Sequence, residues 1–95
     1  MTVLFDNISA NATSSVVIGR GGPKIIFIRA DSIGGGKLII QVAPPSDTLG
    51  RFETLKDGSF VGSSDIHIDY LPTGTKIRAK LSGATGASNV FVEIL

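Results

Sequence analysis

Asp65-Ile66-His67-Ile68-Asp69-Tyr70-Leu71-Pro72-Thr73-Gly74-Thr75-Lys76-Ile77-Arg78-Ala79-Lys80-Leu81 alternates apolar and charged side chains on both sides of a turn. Ile66, Ile68 and Tyr70 alternate with Asp65, His67 and Asp69. Ile77, Ala79 and Leu81 alternate with Lys76, Arg78 and Lys80. Alternation with period two marks a strand with one buried and one wet face. Pro72-Thr73-Gly74 is turn chemistry, because Pro pre-sets φ and Gly accepts a left-handed backbone. The simplest expectation is a hairpin. Apolar meets apolar only if Ile68 faces Ile77 and Ile66 faces Ala79. That register sets Asp69 opposite Lys76, His67 opposite Arg78 and Asp65 opposite Lys80. Two opposed ion pairs of this kind contribute ~0.2–1 kcal/mol each, so they select pairing more than they add stability.

The rest of the chain has the same rhythm. Strands are predicted over Thr2–Ile8, Ser14–Ile18, Lys24–Ala30, Lys37–Ala43, Arg51–Leu55 and Asn89–Leu95, with a small one at Ser59–Val61. Val3 and Phe5 are placed on one face of the first and Leu4 on the other. Leu38, Ile40 and Val42 point inward in the fourth; Val90, Val92 and Ile94 do so in the last. Gly19–Pro23, Asp31–Gly36, Pro44–Asp47 and Ser82–Ser88 are read as loops. Lys56-Asp57-Gly58 is read as a turn. No segment has a sustained helical period. About eight short strands at roughly ten-residue spacing predict one all-β domain over residues 1–95, an antiparallel sandwich, jelly-roll-like or Ig-like. The last strand reaches Leu95 without a polar tail, so its end is expected to be held in a sheet.

Composition narrows the function classes. Hydrophobic residues make up 42% of the chain, apolar for so small a domain, and this predicts surface buried against another chain. There is no cysteine, so neither a disulfide framework nor a thiolate metal site can form. The net charge of +1 argues against a nucleic-acid or anionic-membrane partner. No apolar run approaches the ~20 residues of a membrane helix. The start, Met1-Thr2-Val3-Leu4-Phe5-Asp6, lacks the pattern of a signal peptide.

Each chemical motif has a plainer reading. Asp65, His67 and Asp69 share one strand face and have metal-ligand chemistry, but three cations expected opposite would repel a metal. Arg20-Gly21-Gly22 is a single copy without aromatic neighbours, and a β-turn explains it. Asp31–Lys37 lacks the spacing of a phosphate loop and the Ser/Thr after its lysine. Asn7-Ile8-Ser9 and Asn11-Ala12-Thr13 match the glycosylation triplet by chance composition. His67 is the single histidine, set among charges rather than beside a serine elbow. No catalytic set, metal site or cofactor is expected.

Two segments carry a resemblance. One is Gln41-Val42-Ala43-Pro44-Pro45-Ser46-Asp47 with Phe52-Glu53-Thr54-Leu55. The other is Leu71-Pro72-Thr73-Gly74-Thr75-Lys76-Ile77-Arg78-Ala79-Lys80-Leu81-Ser82-Gly83 with Val90-Phe91-Val92-Glu93-Ile94. The chain resembles the small β-sandwich virion proteins of tailed bacteriophages over its C-terminal half. It departs from them at Pro44-Pro45 and in having Phe52 rather than a tryptophan. The resemblance implies a non-enzymatic capsid cement or decoration protein. Such a protein would be made in the host cytoplasm and placed on the phage head. Its partners would be itself, with a trimer favoured, and the major capsid protein.

Ile25, Phe27, Ile39, Phe91 and Leu95 point away from the face assigned to the core. They are the candidates for self-association, the competing role being packing in a second layer. Arg20, Pro23, Pro44, Pro45 and Asp47 are candidate contacts in loops. The alternative is a tail or baseplate module that binds a receptor or glycan through Arg20–Pro23 and Gly83–Ser88. Neither loop has an aromatic ring to stack on a sugar, and Tyr70 is expected to face inward. A hydrolase on a sandwich scaffold is the third class, and it would depend on His67.

Overall fold

Alternating strands need a partner for their apolar face, and two packed sheets supply it. The computed structural model describes residues 2–95. Its strands are β1 (Thr2–Ile8), β2 (Ala12–Thr13), β3 (Val17–Ile18), β4 (Gly22–Arg29), β5 (Lys37–Ala43), β6 (Glu53–Phe60), β7 (Ser64–Leu71), β8 (Lys76–Ser82) and β9 (Val90–Ile94). One sheet has the order β1-β9-β4-β7; the other has β2-β8-β5-β6, with β3 also on β8. Every pairing is antiparallel. The chain is an all-β sandwich.

The pairing is nested. β1 pairs β9, β2 and β3 pair β8, β4 pairs β7, and β5 pairs β6. This is a long two-stranded ribbon rolled over, the strand order of a jelly roll rather than of an Ig sandwich. β2 and β3 act as one interrupted strand along β8. At the interruption the Ser14 hydroxyl accepts from the Ala79 amide at 2.8 Å, and the Ser14 amide donates to the Ala79 carbonyl at 2.8 Å. A side chain thus stands in the ladder where a backbone carbonyl would.

Rolling the ribbon overturns the expected β7–β8 hairpin. The two strands form as predicted, but they lie in different sheets. Pro72–Thr75 is an arch between sheets. The Gly74 amide donates to the Gly19 carbonyl at 2.8 Å, and the Gly19 amide donates to the Thr75 carbonyl at 2.8 Å. Asp65 meets Arg29 at 2.6 Å instead of Lys80. Lys76, Arg78 and Lys80 oppose Ala43, Gln41 and Ile39. Among the described residues only β5 and β6 are joined as a hairpin of sequence neighbours.

Smaller corrections share one cause, the bulge. Arg51–Leu55 and Ser59–Val61 are not two strands around a turn. They merge into β6, where Leu55–Gly58 bulges out between the Gln41–Thr54 and Ile39–Ser59 pairs. Asp57 there takes a positive φ of 58°, so Asp57-Gly58 serves a bulge rather than a hairpin tip. In β1 a bulge turns both Leu4 and Phe5 into the core and leaves Val3 outside. β4 begins at Gly22, inside the expected loop.

The core lies between the sheets. Ile26, Ile28, Leu38, Ile40, Ile77, Leu81, Val90 and Val92 are its largest fully buried side chains. They are the alternate residues of β4, β5, β8 and β9, the central strands. Leu38, Ile40, Val90, Val92 and Ile94 lie inward as expected; Val42 is half-buried, and Ala43 beside it is buried.

Candidate functional site

At one side of the sandwich the sheets end on β6 and β7, and the gap between these edges is a cleft of about 830 Å³. Such a volume is in the range of ligand sites. Val42, Leu55, Ile68 and Leu71 form apolar walls. Pro44, Pro45, Tyr70 and Pro72 also line it. Polar groups enter from Asp47, Arg51, Glu53 and Thr75.

The loop bearing Pro44, Pro45 and Asp47 is held by its own chemistry. Asp47 is 3% exposed. Its Oδ2 accepts from the Arg51 amide at 3.0 Å, and its Oδ1 accepts from Arg51 Nε at 2.8 Å. The Lys76 ammonium donates to the Asp47 carbonyl. Arg78 Nε donates to Gln41 Oε1 at 2.8 Å, and the Arg78 guanidinium lies 4.0 Å from the centre of the Phe52 ring. Hydrogen bonds from the Arg51 side chain and backbone hold the Asp47 carboxyl below its ordinary value, and desolvation opposes them.

A depressed folded value means that the lock is fully present above the unfolded carboxylate's ~4. It is lost as pH falls through the folded value. The Arg51 amide should therefore keep its hydrogen-exchange protection down to about pH 4 and lose it in stronger acid. Asp47→Asn should show low protection throughout. Equal protection in the two proteins at neutral pH would refute this lock.

Tyr70 is the main departure from expectation. It is 66% exposed and lines the cleft, whereas alternation alone places it inward. The register between β4 and β7 shifts between Gly22–Leu71 and Lys24–Ile68. The extra residue breaks the alternation, so Leu71 takes the buried place. Nothing in the sequence marks this bulge. The Asp47–Arg51 lock had one signal, a carboxylate and a guanidinium four residues apart after Pro44-Pro45.

The apolar candidates separate by sheet. Ile25 and Phe27 on β4 and Phe91 on β9 are half-buried on the outer face of the first sheet. Leu95, 43% exposed, continues β9 with its amide donating to the Ile25 carbonyl at 2.9 Å. Phe27 pairs with Glu93, and Arg29 with Phe91. Ile39 lies on the outer face of the other sheet, between Lys80 and Ser59. Arg20 is exposed at a smaller hollow of about 220 Å³ shared with Val17, Ile18 and Leu95. Pro23 is exposed at the start of β4.

Asp65, His67 and Asp69 occupy the exposed side of β7, where Arg29 engages Asp65. The cations expected to face them are on the other sheet. No cluster of three metal-ligating side chains occurs among the described residues.

Comparison with protein-family models, curated proteins and solved structures finds no match for this chain.

Proposed function

We propose that the chain is a non-enzymatic structural protein that acts by contact, a capsid cement or decoration subunit of a tailed-phage head. The observation that carries this reading is the grouping of Ile25, Phe27, Phe91 and Leu95. Each points outward by alternation along its own strand, and the pairing of β4 with β9 makes them neighbours on one sheet face. Phe27 stands in register between Asp65 and Glu93, and Phe91 beside Arg29, so this face interleaves apolar and charged side chains, a composition suited to contact with another protein. The jelly-roll order is compatible with this role but is shared by capsid and lectin domains, so the face and not the fold supports the reading.

Sedimentation of native source material tests it, with the chain followed by antibody. Migration with a capsid-sized particle, in fixed ratio to the major shell protein, is the expected result. Migration only as a free small species would remove the virion role.

Tyr70 favours a second reading, a tail or baseplate module that binds a glycan. An exposed ring in the cleft between β6 and β7, whose lining also includes Glu53 and Arg51, suits stacking against a sugar with polar contacts to its hydroxyls. Glycan-array binding that disappears in Tyr70→Ala would replace the capsid reading with this one.

A further inference from the structure

We infer that this chain associates with copies of itself head to tail, the outer face of the β1-β9-β4-β7 sheet of one copy lying against the outer face of the β8-β5-β6 sheet of the next. The inference deepens the self-association in the reading above. It begins from how the sheets divide the charge. On the second sheet, Lys76, Arg78 and Lys80 alternate with the buried Ile77, Ala79 and Leu81. They therefore point outward, and Lys37 joins them through its pairing with Ser82. Residues in register with these cations on this face include Thr13, Ile18, Ile39, Gln41, Thr54 and Ser59. None of those in register is a carboxylate; Asp57 is exposed in the bulge of the edge strand β6.

The first sheet is the complement. Asp65, Asp69 and Glu93 project from its outer face, and Arg29 offsets one of them through its contact with Asp65. Glu93 stands between Val3 and Phe27, and makes no ion pair among the described residues. Beside it run Ile25, Phe27, Phe91 and Leu95.

A second copy satisfies both faces at once. Setting like on like would press cations together on one sheet, or carboxylates on the other, and like charges across an interface are repulsive. Setting the acidic face on the basic one places Phe27 and Phe91 against Ile39 and the aliphatic stems of Lys37 and Lys80. Aromatic anchors and lysine stems are suited to that role. One contact then uses all the outward apolar candidates, including Ile39, which the first face leaves out. Because the two faces differ, the contact is heterologous: it closes into a ring when the rotation between copies permits, and stacks openly otherwise.

The test uses the purified chain alone, so it stands apart from whether the protein is found on a particle. Lys80→Glu and Glu93→Lys change outward residues on opposite faces. Sedimentation equilibrium should show the native chain associating and each variant alone weakened roughly tenfold or more. Mixing the two variants in equal amounts should restore association, because the reversed charge on one then meets the reversed charge on the other. Circular dichroism checks that each is folded; Lys37→Glu and Asp69→Lys form the second pair should either fail. A native chain that stays monomeric, variants that associate as the native chain does, or a mixture no stronger than its parts would each overturn the inference.

Discussion

Ile28→Ala should lower stability by about 2–5 kcal/mol, while a polar substitution at the preceding residue should leave the fold standing. Ile28 is fully buried near the end of β4, flanked in register by Val92 and Ser64. Removing its outer carbons loses their transfer energy and leaves a cavity that two packed sheets cannot close. For a domain of this size the melting temperature should fall by roughly 10 °C or more. Phe27 points the other way, half-covered by its neighbours on the outer face. Phe27→Ser should keep the strand circular dichroism and lose self-association. If Phe27→Ser unfolds the chain, Phe27 is a packing residue and the outer face is no interface. If Ile28→Ala melts with the native chain, the core has been placed between the wrong faces.

Gly36→Ala should cost about 1–3 kcal/mol or more, although it adds a single methyl group. Gly36 is buried at the entry to β5, where the end of β8 crosses it. An added Cβ would sit 2.4 Å from the Ser82 carbonyl oxygen, 2.6 Å from the Ala84 amide nitrogen and 2.7 Å from the Gly83 carbonyl carbon. All three are backbone atoms, so no side chain can rotate aside. Relief requires moving the β8–β9 connection away from β5 and loosening the Lys37–Ser82 pair. Gly62→Ala is the matched control, since a Cβ there meets nothing within 4 Å. It should change stability by no more than about 0.5 kcal/mol. Chemical denaturation of the two variants in parallel measures the difference, and equal midpoints would refute the close approach at Gly36.

These residues also show which parts of the structure were legible in the chain. Ile28 inside and Phe27 outside follow from alternation in β4, as do Val90, Val92 and Ile94 inside with Phe91 and Glu93 outside in β9. Gly36 does not stand out from Gly34 and Gly35 by sequence; its crowding exists only because β8 passes over it. Tyr70 was misplaced because one inserted residue reverses the facing of everything beyond it. Asp57-Gly58 carries the same turn chemistry whether it ends a hairpin or fills a bulge. The cleft was half legible: Pro44-Pro45-Ser46-Asp47 reads as a loop, but its opposite wall comes from β7, which lies in the other sheet.

The hairpin that did not form shows most plainly where local reading stops. Opposite charges on β7 and β8 are compatible with pairing, yet each strand takes a better partner in the sandwich. An exposed ion pair contributes a few tenths of a kcal/mol, whereas burying one Ile or Leu side chain contributes about 1.5–3 kcal/mol. The all-β class, most of the strands and most of their inward faces follow from the order of residues alone. Those depend on alternation and turn chemistry over a few neighbouring residues. Which strands pair, where the ribbon rolls and where bulges reset the alternation depend on the whole fold. Those choices are made by total burial between distant segments, which no local window contains. The division of charge between the two sheets follows from the same choices: β8 and β7 are neighbours in the chain, and the fold sends their opposite charges to opposite sides.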